Sequence, residues 1–360
     1  MKNKISFFVA VITLSVIFNL LTQSSSEAAS VGCLKNSDGS AIMVTPGATP
    51  FALAGTSTYN QDQCSQEPDQ YKIKFYKVAL CSADPYIGNA DPDFTSCTDI
   101  LSSEREVTLE PNVDTNLLAG GDLTLPIGSY PYLTVIVNNH LNIKHKQKYV
   151  LASDGSSAAS IFGNSSGSGA WCWSREAVTT YANRIADGSA GNYATSYNTA
   201  HGVTLVESGT GTTNARLKCG SSEPSASDIQ WATEIIDDLA DDPDNDPFAA
   251  HTGGYFSAET DTGITGVDLA ANLLKTDNTS IAANANEARR ISATFRYASP
   301  VKISENTSDF KLAISTFSSV SIDMAIDTSD NNKIWAAKMG ADPFTIQVKT
   351  KTKRARGSWR

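Results

Sequence analysis

Three aspartates at alternate positions form the sharpest chemical pattern in the chain. Asp242, Asp244 and Asp246 stand in the run Asp-Pro-Asp-Asn-Asp. Carboxylates spaced in this way on a short turn can converge on a hard cation, and Ca²⁺ takes oxygen ligands. The pattern is not an EF-hand, because Pro247 stands where that loop needs glycine. We therefore expect either a Ca²⁺ loop of another kind or a solvated acidic segment at the end of a helix.

Side chains typical of catalysis do not form a recognised constellation. The chain has four histidines, and none belongs to an H-E-x-x-H run; they are His140, His145, His201 and His251. Residues 163–167 match G-x-S-x-G, but that motif needs a buried strand before it and a helix directly after it. Here its neighbours are mostly small and polar. The sequence therefore predicts solvated histidines and no catalytic residue.

The six cysteines predict a disulfide framework. An even number in an exported chain favours three bridges over free thiols, and a zinc site is disfavoured because the chain has no C-x-x-C pair. Fifteen pairings are open. Order along the chain favours Cys33–Cys64, Cys81–Cys97 and Cys172–Cys219. The second pair is the best supported, because a strand ends at Cys81 and a loop rich in proline and aspartate leads to Cys97.

Two tryptophans flank one of these cysteines. Trp171 and Trp173 stand on either side of Cys172. Tryptophan packed on a disulfide is a common core arrangement, and this is the favoured interpretation. The alternative is that exposed indoles stack on sugar rings.

The first residues have the layout of a secretory signal peptide, which we place at residues 1–28. Lys2 and Lys4 precede an apolar run over residues 5–21, and small polar residues follow over residues 22–30. The apolar run is shorter than the ~20 residues of a spanning helix and is interrupted by polar residues. We predict a secreted, periplasmic or cell-surface protein without a permanent membrane span. A retained membrane anchor is the alternative.

Alternating apolar and polar residues predict two β blocks, residues 29–152 and 289–353. Residues 71–81 and 132–137 alternate in the first block, and residues 344–351 alternate in the second. The alternation in residues 71–81 changes phase within the strand, which indicates a β-bulge. Each block alone has few strands. We therefore predict that both complete one mainly β, disulfide-stapled β-sandwich or jelly-roll-like domain.

The segment between the blocks, residues 153–288, differs in composition. Glycine, serine, alanine, asparagine and threonine dominate it, and this favours a helical, low-complexity and loop-rich insertion. Apolar residues at helical spacing predict helices over residues 175–186, 227–239 and 267–274. A division into two domains near residue 155 is the alternative.

Charge is distributed unevenly along the chain. The net charge is −10, and an acidic body repels phosphate, so nucleic acid is excluded as a partner. Basic residues are concentrated in the last predicted strand and in the basic tail that follows it, residues 354–360. We predict that the end of the chain mediates self-association, either with another copy or with other surface proteins. The candidate residues are Phe344, Ile346, Val348, Lys349, Lys351, Lys353, Arg354 and Arg356. Alternatively, these basic residues only guard a terminal strand edge against unwanted pairing.

One segment resembles a known kind of domain. Residues 121–139 are similar to the Leu-Pro-x-Gly-x-Tyr unit of uncharacterised secreted bacterial β-sandwich surface proteins. The matching residues are Leu125, Pro126, Gly128, Tyr130 and Val135. Thr134 stands where that unit commonly has arginine. The resemblance implies a β-sandwich and a cell-surface setting.

These patterns together favour a non-enzymatic function. We predict a secreted or cell-surface structural or adhesive protein that self-assembles by β-strand addition, in which main-chain hydrogen bonds supply the affinity. The alternative is a secreted protein that binds or hydrolyses carbohydrate. That alternative requires a cleft with two carboxylates about 5–10 Å apart beside an exposed tryptophan.

Overall fold

The structure described here is a computed structural model. It describes residues 33, 35–43, 63–88, 90–101, 103–111, 113, 115, 117, 125–151, 161–162, 168–181, 190–206, 217–239, 255–257, 266–316, 319–327, 333–341 and 344–352. The predicted signal peptide and the basic tail lie outside these ranges.

The fold is mainly β, as the sequence predicts. The described residues form 21 strands and one helix, α1 (Ala190–His201). The strands in the first half of the chain are β1 (Ala41–Met43), β2 (Gln63–Gln66), β3 (Gln70–Cys81), β4 (Cys97–Leu101), β5 (Arg105–Leu109), β6 (Gly128–Asn138), β7 (His140–Lys144), β8 (Lys146–Leu151), β9 (Ile161–Phe162), β10 (Ser168–Gly169), β11 (Trp171–Ser174) and β12 (Ala177–Thr180). Those that follow α1 are β13 (Leu217–Gly220), β14 (Ala232–Ile235), β15 (Phe256–Ser257), β16 (Val267–Leu274), β17 (Arg290–Ile303), β18 (Thr307–Ser315), β19 (Val320–Asp327), β20 (Lys333–Ala341) and β21 (Thr345–Thr352).

Four sheets are built from these strands. The largest has ten strands and is organised around β3. A four-stranded sheet has the order β1-β8-β11-β13, and a five-stranded sheet has the order β10-β9-β20-β19-β2. The fourth is a two-stranded ribbon of β18 and β21. The predicted β-bulge within β3 is confirmed by shifts in its register with β6 and β4.

β6 and β7 form one continuous path along β3. Both strands run antiparallel to β3, from the Cys81–Tyr132 pair to the Gln70–Lys144 pair. The two consecutive asparagines at residues 138–139 therefore do not reverse the chain, although asparagine is common in turns. Asn139 is fully buried, and its side-chain amide donates to the carbonyls of Ile236 (3.1 Å) and Ala288 (3.2 Å). The amide thus fills the fork at which β14 pairs with β7 while β17 pairs with β6.

The three helices expected in the middle segment are wrong. Residues 177–180, 232–235 and 267–274 are the strands β12, β14 and β16, and all three belong to the ten-stranded sheet. In β16 both sheet faces are covered, so its apolar residues run on without the alternation that marks a half-exposed strand. The middle segment therefore adds strands to the same sheet that both β blocks share. The residue numbers at which the blocks were divided remain predictions.

One face of β3 forms the main core. Tyr71, Ile73 and Phe75 are buried there, and the ring of Phe344 meets Tyr71 and Phe75 edge to face at 6.0 and 6.1 Å. The ribbon of β18 and β21 therefore packs against this face of the large sheet. The opposite face is covered at one side by α1, whose Tyr197 packs with Ile235.

Two of the predicted disulfides are confirmed. Cys81 is bonded to Cys97, and Cys172 is bonded to Cys219. Cys33 is also disulfide-bonded. The side chain of Cys64 lies outside the described part, so its pairing with Cys33 remains a prediction. Disulfides of this kind are typical of an oxidising, extracellular environment.

The close approach of β10 to β13 requires glycine at residue 169. A Cβ atom on Gly169 would overlap the backbone carbonyl of Gly220. We expect Gly169→Ala to lower the free energy of unfolding by about 3 kcal/mol, because the overlap is with backbone that cannot rotate away. Urea unfolding monitored by tryptophan fluorescence measures the change.

A matched variant separates this overlap from backbone strain. Gly202 has a φ of 64°, and no atom lies within 4 Å of the position that a Cβ atom would take there. Gly202→Ala should therefore cost only about 1 kcal/mol, the strain of the left-handed conformation. Equal losses in the two variants would contradict the overlap.

Candidate functional site

The outer edge of β18 borders a groove, which we call the β18 groove. Residues 310–316 line one side of it, and its volume is about 650 Å³. Side chains of a strand alternate between two faces. Consecutive residues can line one groove only if the backbone edge of the strand faces it. The β18 groove is therefore bordered by a strand edge.

This edge has no partner strand within the described part of the chain. β18 pairs there with β21 alone, and no other backbone hydrogen bond joins residues 308–315 to a neighbouring segment. The hydroxyl of Tyr297 donates to the carbonyl of Ile346 at 2.9 Å. Tyr297 lies on β17, so this bond ties the ribbon of β18 and β21 to the large sheet.

The backbone of β18 has hydrogen-bonding groups at the edge that faces the β18 groove. β18 is antiparallel to β21, and Ile314 is the register partner of Ile346. In an antiparallel pair, register partners alternate between those that exchange both backbone hydrogen bonds and those whose N–H and C=O groups point outward. Every second residue of β18 therefore directs its backbone groups toward the β18 groove. These are donors and acceptors that an added strand requires.

The opposite wall of the β18 groove follows β5. Leu117 is buried in the core, while Val113 is 55% exposed. The amide of Val113 donates to the carbonyl of Glu110 (3.2 Å), and the hydroxyl of Thr115 donates to the carbonyl of Thr108 (3.4 Å). These local bonds hold the wall as a folded turn, so the groove is shaped before anything enters it.

Acidic side chains predominate around the β18 groove. Glu67 and Glu110 line it, and Lys311 is the basic residue among its described lining. Glu110 accepts a hydrogen bond from the side-chain amide of Gln70 at 2.6 Å. The groove therefore favours an occupant that carries positive charge.

The residues predicted to mediate self-association differ in how far their side chains are exposed. Phe344 is 7% exposed and Ile346 is fully buried, so their side chains pack inside the same chain. Val348 is partly buried against the core, whereas Lys349 and Lys351 are exposed. Lys353, Arg354 and Arg356 lie outside the described residues. Their role in self-association remains a prediction.

The predicted Ca²⁺ ligands also lie outside the described part of the chain. Asp242, Asp244 and Asp246 fall between residues 239 and 255, for which no arrangement is described. Within the described ranges, no group of three acidic, histidine or cysteine side chains is placed to hold a metal. The Ca²⁺ site remains a prediction.

Three of the four histidines are described, and they are not solvated as expected. His145 is 3% exposed, and its Nε2 lies 3.2 Å from Oε1 of Gln66. Burial lowers the pKa of His145 to about 3. Burial in a ring stack likewise lowers the pKa of His140 and of His201 to about 4. All three are neutral at physiological pH, and none lines the β18 groove.

The tryptophan pair lies beside its disulfide, as favoured from the sequence. Trp173 is 7% exposed and Trp171 is half-buried. Sequence reasoning missed another indole, Trp231. The ammonium groups of Lys72 and Lys144 lie 4.7 and 5.0 Å from the centroid of that ring. The sequence signal for this cluster was limited to lysines in strands of alternating residues, because Trp231 meets these lysines only in the folded sheet.

Comparisons with known proteins leave the function to be argued from the structure. No family model, no curated protein and no solved structure matches this chain. Within its described part, no helix is long and apolar enough to cross a membrane.

Proposed function

We propose that the protein is a secreted or cell-surface structural or adhesive β-sandwich protein that assembles by β-strand addition. The β18 groove receives the added strand, and the C-terminal tail of a neighbouring copy supplies it. The observation that carries this proposal is the edge of β18 beside a preformed groove, an edge to which no strand in the described part of the chain is paired. Strand addition draws its affinity from main-chain hydrogen bonds and its specificity from pockets for alternate side chains.

The tail has a composition that suits this groove. In an extended chain, alternate side chains face opposite sides. One side of residues 353–360 then carries Trp359 with alanine, glycine and Lys353, and the other carries Ser358 and three arginines. These are Arg354, Arg356 and Arg360. The indole of Trp359 fits the exposed Val113, while the arginines fit the carboxylates of Glu67 and Glu110.

Hydrolysis of carbohydrate has less support at the same place. Glu67 and Glu110 do form a pair of carboxylates, but the described lining of the β18 groove includes no tryptophan. Glu110 is already engaged by Gln70. A strand edge, moreover, offers nothing that stabilises a glycosyl transition state. Strand addition uses the edge itself.

Removal of the tail tests the proposal. A chain that ends at Thr352 keeps the whole of β21 and lacks the donor segment. We expect full-length protein to form oligomers in size-exclusion chromatography with light scattering, and the shortened chain to be monomeric. Oligomers of the full chain should loosen only partly as salt rises, because salt screens the exposed arginine–glutamate pairs and leaves main-chain hydrogen bonds intact.

Charge reversal in the groove supplies a matched control. Glu67→Lys with Glu110→Lys should weaken association of the full-length chain, because both lysines would repel the arginines. Glu106→Lys with Glu305→Lys makes the same charge change at exposed residues outside the groove lining and should leave association unchanged. The same monomeric mass for the full and shortened chains at every salt concentration would rule out the proposal.

A further inference from the structure

A second surface, separate from the β18 groove, combines two cations with one indole. We call it the Trp231 platform and define it by Trp231, Lys72 and Lys144. Lys72 lies on β3 and Lys144 on β7, and both ammonium groups lie over the same ring, at 4.7 and 5.0 Å from its centroid. Such distances are typical of cation–π contacts. The indole therefore holds two positive charges close together.

The Trp231 platform lies on the face of the large sheet opposite the main core. Lys72 stands between Tyr71 and Ile73, which are buried on the core face, so its side chain leaves the other face. All three platform residues are partly exposed. α1 covers part of this same face, where it packs over Ile235. The loop closed by Cys81–Cys97 covers another part, because the side-chain amide of Asn272 on this face donates to the carbonyl of Gly88. The platform remains partly open to solvent.

Neither platform lysine is neutralised by an acid among the residues that the structure describes. The other lysines on nearby strands are paired: Lys74 with Glu104 at 3.0 Å, and Lys146 with Glu223 at 2.5 Å. Within the described part of the chain, Lys72 and Lys144 form no ion pair. Two like charges beside one ring repel each other, and an anion between them would relieve that repulsion.

Polar groups beside the indole satisfy one another. The hydroxyl of Thr233 donates to the side-chain carbonyl of Asn142 at 2.8 Å, and the Asn142 amide donates to the carbonyl of His140 at 3.2 Å. Thr233 and Asn142 are register partners on β14 and β7. They form a fixed polar border, so this surface binds a ligand through the two ammonium groups and the part of the ring that the lysines leave uncovered.

We propose that the Trp231 platform binds an acidic saccharide, one that carries a carboxylate or a sulfate on its ring. The C–H groups of a pyranose form a flat apolar face that packs on an indole, and the two ammonium groups bind the anionic substituent. Charge complementarity favours this ligand, because the platform is a local positive site on a chain whose net charge is −10.

Binding is measured by isothermal titration with purified full-length protein and four polymers. Polygalacturonate supplies ring carboxylates, heparin supplies ring sulfates, dextran is a neutral saccharide, and polyglutamate is a polyanion without sugar rings. We expect binding to polygalacturonate or to heparin, which decides between the two anions, and no binding to dextran. Binding should weaken as salt rises.

Variants connect that binding to the platform. Trp231→Ala should weaken it about tenfold, which corresponds to about 1.4 kcal/mol, and Trp231→Phe should retain part of it. Lys72→Gln with Lys144→Gln should weaken it at least as much and keeps the ring in place, so the test does not depend on how well Trp231→Ala folds. Lys218→Gln with Lys302→Gln makes the same charge change at two exposed lysines and should have no effect.

Three results would overturn the assignment. The first is no binding to either acidic saccharide. The second is equal binding of polyglutamate, which would show attraction to charge alone. The third is equal loss in the two lysine pairs, which would show that net charge and not the platform matters. None of these results depends on self-association through the β18 groove.

Discussion

Acidification from pH 7 to pH 4.5 is expected to lower the free energy of unfolding by about 4 kcal/mol. The effect comes from three histidines that are neutral in the folded chain. Burial lowers the pKa of His145 to about 3, and that of His140 and His201 to about 4. An unfolded histidine takes up its proton near pH 6.5. Between these values the unfolded chain binds more protons than the folded one.

His145 makes the largest single contribution. It lies at the point where the chain passes from the ten-stranded to the four-stranded sheet, and its backbone amide donates to the hydroxyl of Ser174 at 3.1 Å. Nδ1 is 3.9 Å from a carboxylate oxygen of Asp69. The imidazole ring is nevertheless neutral, because the cost of burying its positive charge outweighs the attraction of the Asp69 carboxylate. Protonation would place a charge in this buried site, with Lys35 as a further opposing cation.

Neighbouring positive charges, in addition to burial, disfavour the protonation of His140 and His201. Their rings stack, with Nε2 of His140 at 3.3 Å from Nδ1 of His201. The guanidinium of Arg289 lies 3.0 Å from Nε2 of His201, and Arg290 also lowers the pKa of His140. Tyr197 stacks on His201 from the other side at 4.1 Å. A proton on either ring meets cations and little compensating charge. Because His201 is partly exposed, solvent reduces its share.

The direction of the effect follows from the lowered pKa values. Stability from these histidines is complete above about pH 6.5 and is lost as the pH falls toward 4. Each buried histidine contributes at most about 1.4 kcal/mol per pH unit within that window. His145 alone accounts for about 2–3 kcal/mol at pH 4.5. His140 and His201 account for the remainder, which is discounted because His201 is partly exposed to solvent.

Urea unfolding at pH 7.5, 6.5, 5.5 and 4.5 measures this dependence. His145→Gln should remove about 2–3 kcal/mol of the loss between the ends of the series. Asp277→Asn is the control, because hydrogen bonds from Ser280 and Thr279 lower the pKa of Asp277 to about 2. That substitution should lower stability by nearly the same amount at every pH of the series, and so leave the dependence on pH unchanged, because the stabilisation by Asp277 is lost only below about pH 4. A parent and a His145→Gln variant with the same dependence on pH would contradict the assignment.

Sequence reasoning predicted strands where apolar and polar residues alternate. Residues 71–81, 132–137 and 344–351 alternate, and the structure places β3, β6 and β21 there. β16 is covered on both faces, and its apolar run therefore resembled a helix. α1 has the composition of a loop, with several glycine, asparagine and threonine residues, and long-range packing of Tyr197 stabilises it. Such packing leaves no local signal.

The candidate sites depend even more on tertiary contacts. Which edge of β18 lacks a partner in the described part of the chain is decided by the pairing of β21 with the other edge. Trp231, Lys72 and Lys144 come from distant parts of the chain and meet only across β14, β7 and β3. Burial of His145 likewise follows from the crossing of two sheets. Spacing along the sequence carries none of this information.

Loss of the Cys172–Cys219 bridge is expected to lower the free energy of unfolding by about 4 kcal/mol. This bridge spans 47 residues, whereas Cys81–Cys97 spans 16. A bridge stabilises mainly by restricting the unfolded chain, so a longer loop gives a larger effect. Cys172→Ala with Cys219→Ala should therefore destabilise more than Cys81→Ala with Cys97→Ala, which should cost about 3 kcal/mol.

The surroundings of the two bridges strengthen that order. Cys172 and Cys219 are register partners on β11 and β13, and each is 1% exposed. Their loss also removes packing from the centre of the four-stranded sheet, where Trp173 contacts Gly220. Cys81–Cys97 instead closes a loop at the end of β3, and Cys97 is partly exposed. Urea unfolding of both double variants, with the parent protein measured with and without reductant, gives the comparison. If the Cys81–Cys97 variant is the less stable of the two, then restraint on the loop over the large sheet, and not loop length, determines what these bridges contribute.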